Sequence, residues 1–446
     1  MIHQRVAKLP ALPGAAAWNA ILGDAPQAPT LEEKITADFV IVGAGFAGLS
    51  AARRLRQLAP HAKIVLLDAA RVAEGSAGRN SGFMIDLPHD LASEDYAGSG
   101  DDRQVIALNR RAIAFADAAV ADYQINAHYF DRSGKVNGAA SAAAEKNNAS
   151  YARHLDTLDE PSETLDAQAM AELTGSTYYR SGLYTPGTVM LQPAGYVRGL
   201  AAGLRREGVS LNENSPVTTL RREGDTWHVA TPNGSISAGQ VILTVNGHLE
   251  SFGFAKRQLM QLFLYAVMTP ELDAGTLAKV GGQERWGITP SDPMGTTIRK
   301  ISSAQGGNRI VTRTCATLAP GMRVGQDQVA RAARVMQKKF EARFPQLKGM
   351  SMEYAWAGHL CLTRNGVSLM RQLDTGLFCG CVQNGLGTVR GTLTGIGAAE
   401  LACGVESPIT EAFGNSADPA MLPPQPFLQI GANAVLRWKE WNARTE

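Results

Sequence analysis

The chain alternates between short runs of consecutive apolar residues and longer stretches in which apolar residues recur every three to four positions. Four apolar residues at 39–42 predict a buried strand, residues 47–58 have the composition of a helix, and 63–68 predict a second β-rich run. This β-α-β order requires a parallel sheet that is covered on both faces. Further buried strands are predicted at 241–245 and 377–382.

The middle and the end of the chain contain both helical and β patterns. Helices are predicted where apolar residues share one side of a helical turn, and strands are predicted where they alternate. The predicted helices cover 103–123, 164–174, 194–207, 326–343 and 387–403. The predicted strands cover 217–220, 227–230 and 235–238, and residues 258–315 alternate in β fashion. This mixture predicts an α/β (α+β) fold.

Length, composition and charge limit the class of protein. The 446 residues predict two lobes, and an apolar content of 45% with 19% charged residues excludes a disordered chain. The net charge of +2 is far from the basic excess that nucleic-acid binding needs. No apolar run reaches the roughly 18–20 residues that span a bilayer, and the start lacks the apolar core of a secretory signal. We therefore expect a cytoplasmic protein with no transmembrane segment and no nucleic-acid partner.

The cysteines predict neither a disulfide framework nor a zinc site. They are five in number, an odd count, and none forms a CxxC pair. We expect reduced thiols at Cys315, Cys361, Cys379, Cys381 and Cys403 and no metal site.

A GxGxxG motif at 43–48 lies between the first predicted strand and helix. Gly43 permits a tight turn, Gly45 lets the backbone approach a pyrophosphate, and Gly48 lets the helix and the strand pack closely. Asp68, about 20 residues further on, can accept hydrogen bonds from an adenosine ribose. The combination predicts a dinucleotide site, and a glycine-rich turn of purely structural use is the alternative.

A second glycine-rich segment, residues 74–82, follows the second strand and has Arg79 and Asn80 at its centre. By itself it could be a simple loop. Its Gly-Ser-Ala-Gly-Arg-Asn order at 75–80 resembles the Gly-x-Ser/Ala-x-Arg-Asn segment that lies beside the flavin in the D-amino-acid-oxidase-like family of FAD-dependent oxidoreductases. The resemblance continues, in the same order along the chain, at 191–200, 241–247, 356–358, 380 and 383–391. Trp18 and the aspartate before the first strand are most similar to the γ-glutamylputrescine oxidoreductase and glycine-sarcosine oxidase types of this family.

The resemblance implies a discontinuous, Rossmann-like FAD-binding domain with an inserted substrate domain of β-sheet and helices. It implies an N-terminal arm at 1–37 and a C-terminal tail at 411–446. The FAD-binding domain is expected to comprise 38–95, 190–255 and 353–410, and the substrate domain 96–189 and 256–352. The FAD is expected to be noncovalent, since the position of Cys361 does not fit the spacing of relatives that tether their flavin.

The resemblance also implies which residues contact the cofactor. They are glycine-rich turns and the strand ends beside them: Gly43, Gly45, Phe46, Ala47, Gly48, Asp68, Ala69, Ser76, Gly78, Arg79, Asn80, Ser81, Val217, Asn246, Gly247, Trp356, Gly358, Asn384, Gly385, Leu386, Gly387 and Thr388.

Four residues are candidates for contact with substrate or the reacting part of the flavin: Arg299, Lys300, His359 and Arg390. Each could instead have a structural role, His359 as a satisfied core histidine and the basic residues on the surface. An anionic substrate would be anchored by Arg79 or Arg390, because a guanidinium binds a carboxylate bidentately.

The family's reaction is hydride removal from the carbon next to an amine, and it gives an imine that water hydrolyses. The expected substrate is an amino acid, an N-alkyl amino acid or a polyamine derivative, and the electron acceptor is oxygen, a quinone or a carrier. A flavin monooxygenase is one alternative, although its Gly-Asp pair is replaced by Gly380 and Cys381. A flavin-bearing subunit of a larger dehydrogenase complex is the other.

Overall fold

The computed structural model describes residues 3–90, 93, 97, 98 and 100–446. Its strands are β1 His3–Arg5, β2 Lys34–Val42, β3 Ile64–Leu67, β4 Phe83–Met84, β5 Phe130–Asp131, β6 Lys135–Ala139, β7 Glu163–Asp166, β8 Ser181–Thr185, β9 Val189–Leu191, β10 Ser210–Asn212, β11 Thr219–Glu223, β12 Thr226–Ala230, β13 Ser235–Leu243, β14 Leu259–Met268, β15 Trp286–Pro290, β16 Thr297–Ile301, β17 Arg309–Leu318, β18 Tyr354–Thr363, β19 Leu369–Asp374 and β20 Leu377–Cys381. Its α-helices are α1 Ala17–Ala20, α2 Phe46–Leu58, α3 Asp102–Asp122, α4 Ala142–Thr157, α5 Ala167–Thr174, α6 Pro193–Arg206, α7 Ala274–Val280, α8 Gln326–Arg343, α9 Val389–Ala402, α10 Pro408–Gly414 and α11 Phe427–Asn442.

A nine-stranded sheet contains the predicted β-α-β unit. Its strands follow the order β1-β11-β12-β13-β2-β3-β10, and β20 pairs with β13 and with β19. Strands β2, β3, β10, β13 and β20 are parallel, with Val40 opposite both Val65 and Val241. The middle strands are buried on both faces, which explains their uninterrupted apolar sequence.

Helices α2, α6 and α9 cover one face of this sheet. Apolar residues of all three helices form one core cluster with side chains of β2 and β3. Helix α9 has few large side chains and lies close to α2. The close approach is seen at Gly395, where a Cβ would stand 2.1 Å from the carbonyl oxygen of Ala47. The glycine content of 387–403 therefore reflects close helix packing.

An eight-stranded sheet of order β18-β14-β17-β16-β15-β6-β8-β7 forms the second layer. Strands β14, β17 and β18 are antiparallel and about ten residues long. Helix α8 packs against this sheet through Val329, Met336 and Phe340. The prediction of continuous β structure over 258–315 was wrong at Ala274–Val280, which is helix α7 capped by the Asp273 side chain.

Other elements differ from the sequence patterns in bounds or type. Residues 235–238 and 241–245 were predicted as two strands, but they are joined in the single strand β13, which ends at Leu243. Besides α1 and α7, three further helices, α4, α10 and α11, were not predicted. The arm is not wholly irregular, since it contains β1, α1 and the start of β2. The α/β (α+β) class itself is confirmed.

The predicted domain division stays a prediction, because its boundary near residue 95 and the first two residues of the arm lie outside the described residues. Strand pairing crosses its segments at more than one place, since β5 of the predicted substrate domain and β4 of the predicted FAD-binding domain both pair with β9. Strand β18 pairs with β14 in the eight-stranded sheet, although residues 353–410 were predicted for the FAD-binding domain. Among the described residues, no helix has the length and apolar character needed to cross a membrane.

Candidate functional site

A cavity of about 310 Å³ lies between the two sheets. One wall is formed by the turn after β2 and the end of β3, and we call it the turn wall: residues 42–47 and 67–70. The opposite wall is formed by β14, β17 and β18, and we call it the sheet wall: residues 263–266, Val311, Arg313 and 356–360. This volume is within the usual range for small-molecule sites.

The turn wall has its shape because two glycines remove steric obstacles. Gly43 has a φ of +104°, in the region that side chains disfavour, and a Cβ on it would stand 2.8 Å from the carbonyl oxygen of Thr244. A Cβ on Gly48 would stand only 1.7 Å from the carbonyl oxygen of Gly43. Thr244 Oγ1 lies 2.8 Å from the carbonyl oxygen of Val42 and 2.9 Å from that of Gly43, which fixes the turn further.

Asp68 lies at the end of β3 and lines the cavity. Its carboxylate accepts hydrogen bonds from the backbone N–H groups of Ala44 (2.7 Å) and Ala70 (2.9 Å). Burial raises the pKa of Asp68 and Glu213 adds to this shift, whereas the hydrogen bonds from Ala70 and Ala44 oppose it, and the resulting pKa is about 6. The aspartate thus couples the turn to the strand beside it.

The donor set fits a dinucleotide. Helix α2 begins at the cavity, its N-cap Gly45 provides no side-chain cap, and its first turn contains no acidic residue. The first N–H groups and the positive end of the helix dipole therefore remain available for a pyrophosphate. The buried Oδ1 of Asn246, a cavity-lining residue, has no hydrogen-bond partner within the described residues. These features fit the FAD that the sequence indicated.

The loop at 74–82 lies at one end of the cavity, and Arg79 holds it to two other segments. Arg79 Nε donates to the carbonyl of Glu74 (2.6 Å), and Nη1 donates to the carbonyls of Pro13 (2.9 Å) and Ala357 (3.3 Å). Burial lowers the pKa of Arg79, and Glu74 opposes this shift. These contacts occupy the guanidinium with backbone and argue against the predicted anchoring of substrate by Arg79.

Two tryptophans fix the same loop from opposite sides. Trp18 Nε1 donates to the carbonyl of Asn80 (2.8 Å), and Trp356 Nε1 donates to the carbonyl of Arg79 (3.1 Å). Both tryptophans are buried. The N-terminal arm thus contributes to the site through Trp18, for which the sequence had provided only a family likeness.

His359 lies in the sheet wall and is uncharged. Its Nε2 lies 2.9 Å from Oε1 of Gln261, whose amide NH₂ donates to the carbonyl of Gly247 (3.0 Å), so Nε2 carries the proton. Burial, assisted by His248, lowers the pKa of His359 to about 3. Burial likewise lowers the pKa of His248 to about 4. Both imidazoles are therefore neutral at physiological pH.

The structure places the three basic candidates outside the cavity lining. Arg299 is buried in β16, and its Nη1 donates to the carbonyls of Ser81 (2.8 Å) and Leu191 (2.9 Å). Lys300 is on the opposite face of the strand and donates to the carbonyl of Gly281 (2.9 Å). Burial lowers the pKa of Arg390, at the start of α9, and Asp90 opposes this shift.

Most of the predicted cofactor residues do meet around the cavity. Its lining includes Gly43, Gly45, Phe46, Ala47, Asp68, Ala69, Ser76, Arg79, Asn80, Ser81, Val217, Asn246, Trp356, Gly358, Gly385 and Gly387, together with His359. Six predicted residues lie outside the lining: Gly48, Gly78, Gly247, Asn384, Leu386 and Thr388. One of the six, Asn384, contacts a strand of the sheet wall, because its Oδ1 accepts a hydrogen bond from the N–H of Thr363 at the end of β18 (2.8 Å).

The sequence did not indicate several lining residues. Arg313 and Val311 are two residues apart in β17, so their side chains lie on the same face of the strand, and both line the cavity. Phe263 of β14 contributes an aromatic surface beside His359, with ring centroids 5.1 Å apart. Residues 8–12 of the arm also line the cavity. The alternation of β17 was visible in the sequence, but which face it buried was not.

Comparison with known sequences points to one family. Residues 38–401 match the model of the DAO family, described as FAD dependent oxidoreductase. The chain is 26% identical over 408 residues to a gamma-glutamylputrescine oxidoreductase of Escherichia coli K12, with 89% of each chain covered. It is 23% identical over 397 residues to a probable oxidoreductase, OrdL, of Haemophilus influenzae, with 85% of each chain covered.

Solved structures share the fold at low sequence identity. Glycine oxidase from Geobacillus kaustophilus superposes with a TM-score of 0.69 at 16% identity, covering 83% of this chain and 96% of that one. Iminodiacetate oxidase from Chelativorans sp. BNC1 gives a TM-score of 0.63, also at 16% identity and with the same coverage.

Proposed function

The chain belongs to the DAO family of FAD-dependent oxidoreductases, and we propose that it oxidises an amine at the carbon next to nitrogen. The expected substrates are amino acids, N-alkyl amino acids and polyamine derivatives. Relatives named gamma-glutamylputrescine oxidoreductase, glycine oxidase and iminodiacetate oxidase support an amine substrate. One observation carries the proposal: the glycine turn and the basic side chain of Arg313 line the same cavity.

The reaction needs little acid-base machinery from the protein. A C–H bond of the substrate breaks, the nitrogen loses a proton, and a C=N bond forms that water later hydrolyses to a carbonyl compound and a free amine. FAD, when bound, supplies the acceptor for the hydride. The protein has to hold the cofactor, orient the substrate and exclude water.

The turn wall would hold the cofactor without a covalent bond. The N–H groups at the start of α2 would bind the pyrophosphate, and Asp68 would accept hydrogen bonds from the ribose. Gly385 and Gly387 line the cavity just before α9, whose N-terminus would stabilise negative charge on the reduced cofactor. Cys361 is buried outside the cavity lining, and burial raises its pKa, which opposes a thiolate and supports noncovalent binding.

The sheet wall would position the substrate. Arg313 would bind a carboxylate of an acidic amine, and Phe263 would offer an apolar surface for the carbon chain. His359 stays neutral, so it adds no positive charge that would repel a protonated amine. The arrangement favours substrates with both an amine and a carboxylate over simple alkylamines.

The alternatives have less support. Two proteins that match most of this chain are named gamma-glutamylputrescine oxidoreductase and glycine oxidase, and these names favour neither the monooxygenase nor the accessory subunit. The proposed electron acceptor is oxygen, a quinone or a carrier. A cytoplasmic location stays part of the proposal and is supported by the five free cysteines.

Two measurements test this function. Chromatography of cofactor released by acid should yield FAD, and pigment remaining with the precipitated protein would contradict noncovalent binding. Anaerobic titration with a panel of acidic amines, neutral amines and N-methyl amino acids should bleach the flavin without NAD(P)H. Rapid reduction by NADPH together with no bleaching by any amine would contradict the proposal and favour a monooxygenase.

A further inference from the structure

Helix α11 exposes an apolar surface that the oxidation chemistry does not use. Five of its side chains, between 52% and 72% exposed, are Phe427, Ile430, Val435, Trp438 and Trp441. They are five of the eight large hydrophobic residues that are exposed in the described part of the chain. At 3.6 residues per turn, four of them fall on one side of the helix. We call Phe427, Ile430, Trp438 and Trp441 the apolar stripe.

The helix is held to the protein by its polar side, which fixes the stripe toward solvent. Asn433 exchanges two hydrogen bonds with the backbone of Leu318 (3.0 and 2.9 Å), and Arg437 donates to the carbonyl of Ala316 (2.8 Å). Glu440 pairs with Arg331 at 2.7 Å. This orientation is the reverse of an ordinary surface helix, whose apolar side faces the core.

The exposed charged side chains of residues 427–446 are all basic. The two acidic residues of 427–446, Glu440 and Glu446, are 9% and 6% exposed and face the body of the protein. The exposed charged side chains of this segment are Lys439 and Arg444. Arg444 lies 4.3 Å from the ring centroid of Trp441. The exposed surface of α11 is therefore aromatic and basic, and complementary to an anionic one.

We propose that α11 binds the surface of an anionic phospholipid bilayer and lies parallel to it, with the apolar stripe at the level of the headgroups. Tryptophan rings favour the membrane–water interface, and basic side chains are attracted to anionic lipid. The proposal is independent of the amine oxidation, since α11 does not line the cavity.

A second copy of the chain is a less suitable occupant. A 16-residue helix is about 24 Å long and about 10 Å wide. Paired with its equivalent it would bury well below the roughly 800 Å² per partner of a standard interface. A parallel pairing would also bring Lys439 and Arg444 of both copies together with no exposed acid from either helix.

Vesicle sedimentation tests the proposed membrane binding. The holoenzyme is mixed with vesicles of phosphatidylcholine alone, or of phosphatidylcholine with phosphatidylglycerol, and the vesicles are sedimented with any bound protein. We expect capture by the anionic vesicles, weakening as salt is added. The four other tryptophans are each 3% exposed or less, so a blue shift of tryptophan emission would come from Trp438 and Trp441. No capture of the wild-type protein by anionic vesicles would overturn the proposal.

Two double variants separate the apolar and the electrostatic contributions. Trp438→Gln with Trp441→Gln, and Lys439→Glu with Arg444→Glu, should each weaken vesicle binding by about tenfold or more while leaving flavin content unchanged. The matched control is Lys146→Glu with Arg153→Glu on α4, an exposed helix of the same length, which should bind vesicles like the wild type. Equal binding by all variants, or a dimer that dissociates in the tryptophan variant, would overturn the membrane assignment.

Discussion

The two walls of the cavity are built in different ways. The turn wall comes from one short stretch, residues 42–70, in which backbone geometry and small residues determine the shape. The sheet wall joins Phe263, Arg313 and His359, which are as far as 96 residues apart in sequence and meet only through pairing of β14 with β17 and β18. The shape of the turn wall depends on glycines that have no side chain, whereas the chemistry of the sheet wall depends on the side chains that strand pairing brings together.

This difference implies different responses to substitution. In the turn wall, adding atoms should damage the fold where backbone segments are in close approach, and should damage cofactor binding where the backbone faces the cavity. In the sheet wall, removing a functional group should reduce recognition of the substrate while leaving the fold intact. Gly48→Ala, Gly45→Val, Arg313→Met and Arg299→Met test the contrast.

Gly48→Ala should have the largest effect. The new Cβ would stand 1.7 Å from the carbonyl oxygen of Gly43, so the helix must move away from the turn. We expect a loss of about 3 kcal/mol or more in the free energy of unfolding, and loss of bound flavin. Urea unfolding measures the free energy of unfolding, and the flavin absorbance of the purified variant measures the bound flavin. A variant as stable as the wild type would contradict the close approach.

Gly45→Val should leave stability nearly unchanged and still remove the flavin. A Cβ on Gly45 meets only the Cβ of Ala77, at 3.7 Å, so the protein itself accommodates it. The rest of the valine side chain would occupy space that the pyrophosphate needs. We expect flavin affinity to fall by about 100-fold, or about 2.7 kcal/mol.

Gly45→Ala is the matched control for this substitution. It should reduce flavin affinity less than the valine, with the unfolding free energy of the flavin-free protein within about 1 kcal/mol of the wild type. Normal flavin affinity in the valine variant would show that this turn does not approach a pyrophosphate.

The sequence predicted the turn wall well because its information is local. The order of strand, glycine turn, helix and acid occupies 30 residues, and the structure brings Gly43, Gly45 and Asp68 to one cavity. The resemblance to the FAD-dependent family is confirmed by the match over 38–401. The local sequence pattern and the resemblance to the family therefore both predicted the turn wall as the dinucleotide site.

The sheet wall could not be predicted in the same way. Arg299 and Lys300 are neighbours in sequence, but alternation along β16 sends them to opposite faces, and neither lines the cavity. Arg313 pairs with Ala266 of β14 and with Thr297 at the start of β16, and a bulge between Leu264 and Tyr265 shifts the register of β17 with β14. Which strand face is buried depends on this pairing, and the sequence alone does not specify it.

Arg313→Met should weaken use of acidic amines. Loss of a charge-assisted hydrogen bond predicts a 10- to 100-fold fall in kcat/KM, or about 1.4–2.7 kcal/mol, with flavin content retained. Steady-state kinetics with an acidic amine and an uncharged analogue measure this, and the uncharged analogue should be affected little. An equal fall for both amines would contradict a carboxylate contact.

Arg299→Met provides the comparison within the same sheet. Arg299 is buried and holds the carbonyls of Ser81 and Leu191, so its loss should destabilise the protein by about 2 kcal/mol. Its kcat/KM per bound flavin should stay within about threefold of the wild type. If Arg299→Met instead abolished only acidic substrates, Arg299 would be the anchor.

The smallest expected effect is a pH dependence that comes from Asp68. The pKa of this carboxyl in the folded protein without flavin is about 6, above the roughly 3.9 of an unfolded aspartate. Between these values the folded chain keeps a proton that the unfolded chain releases, so the free energy of unfolding falls as pH rises from about 4 to 6 and then levels off. We expect about 1–2 kcal/mol for this fall, because the carboxylate faces a solvent-accessible cavity. Asp68→Asn should flatten the profile of the flavin-free protein, and urea unfolding across this pH range measures it. An Asp68→Asn profile that still falls as in the wild type would assign the dependence to another group.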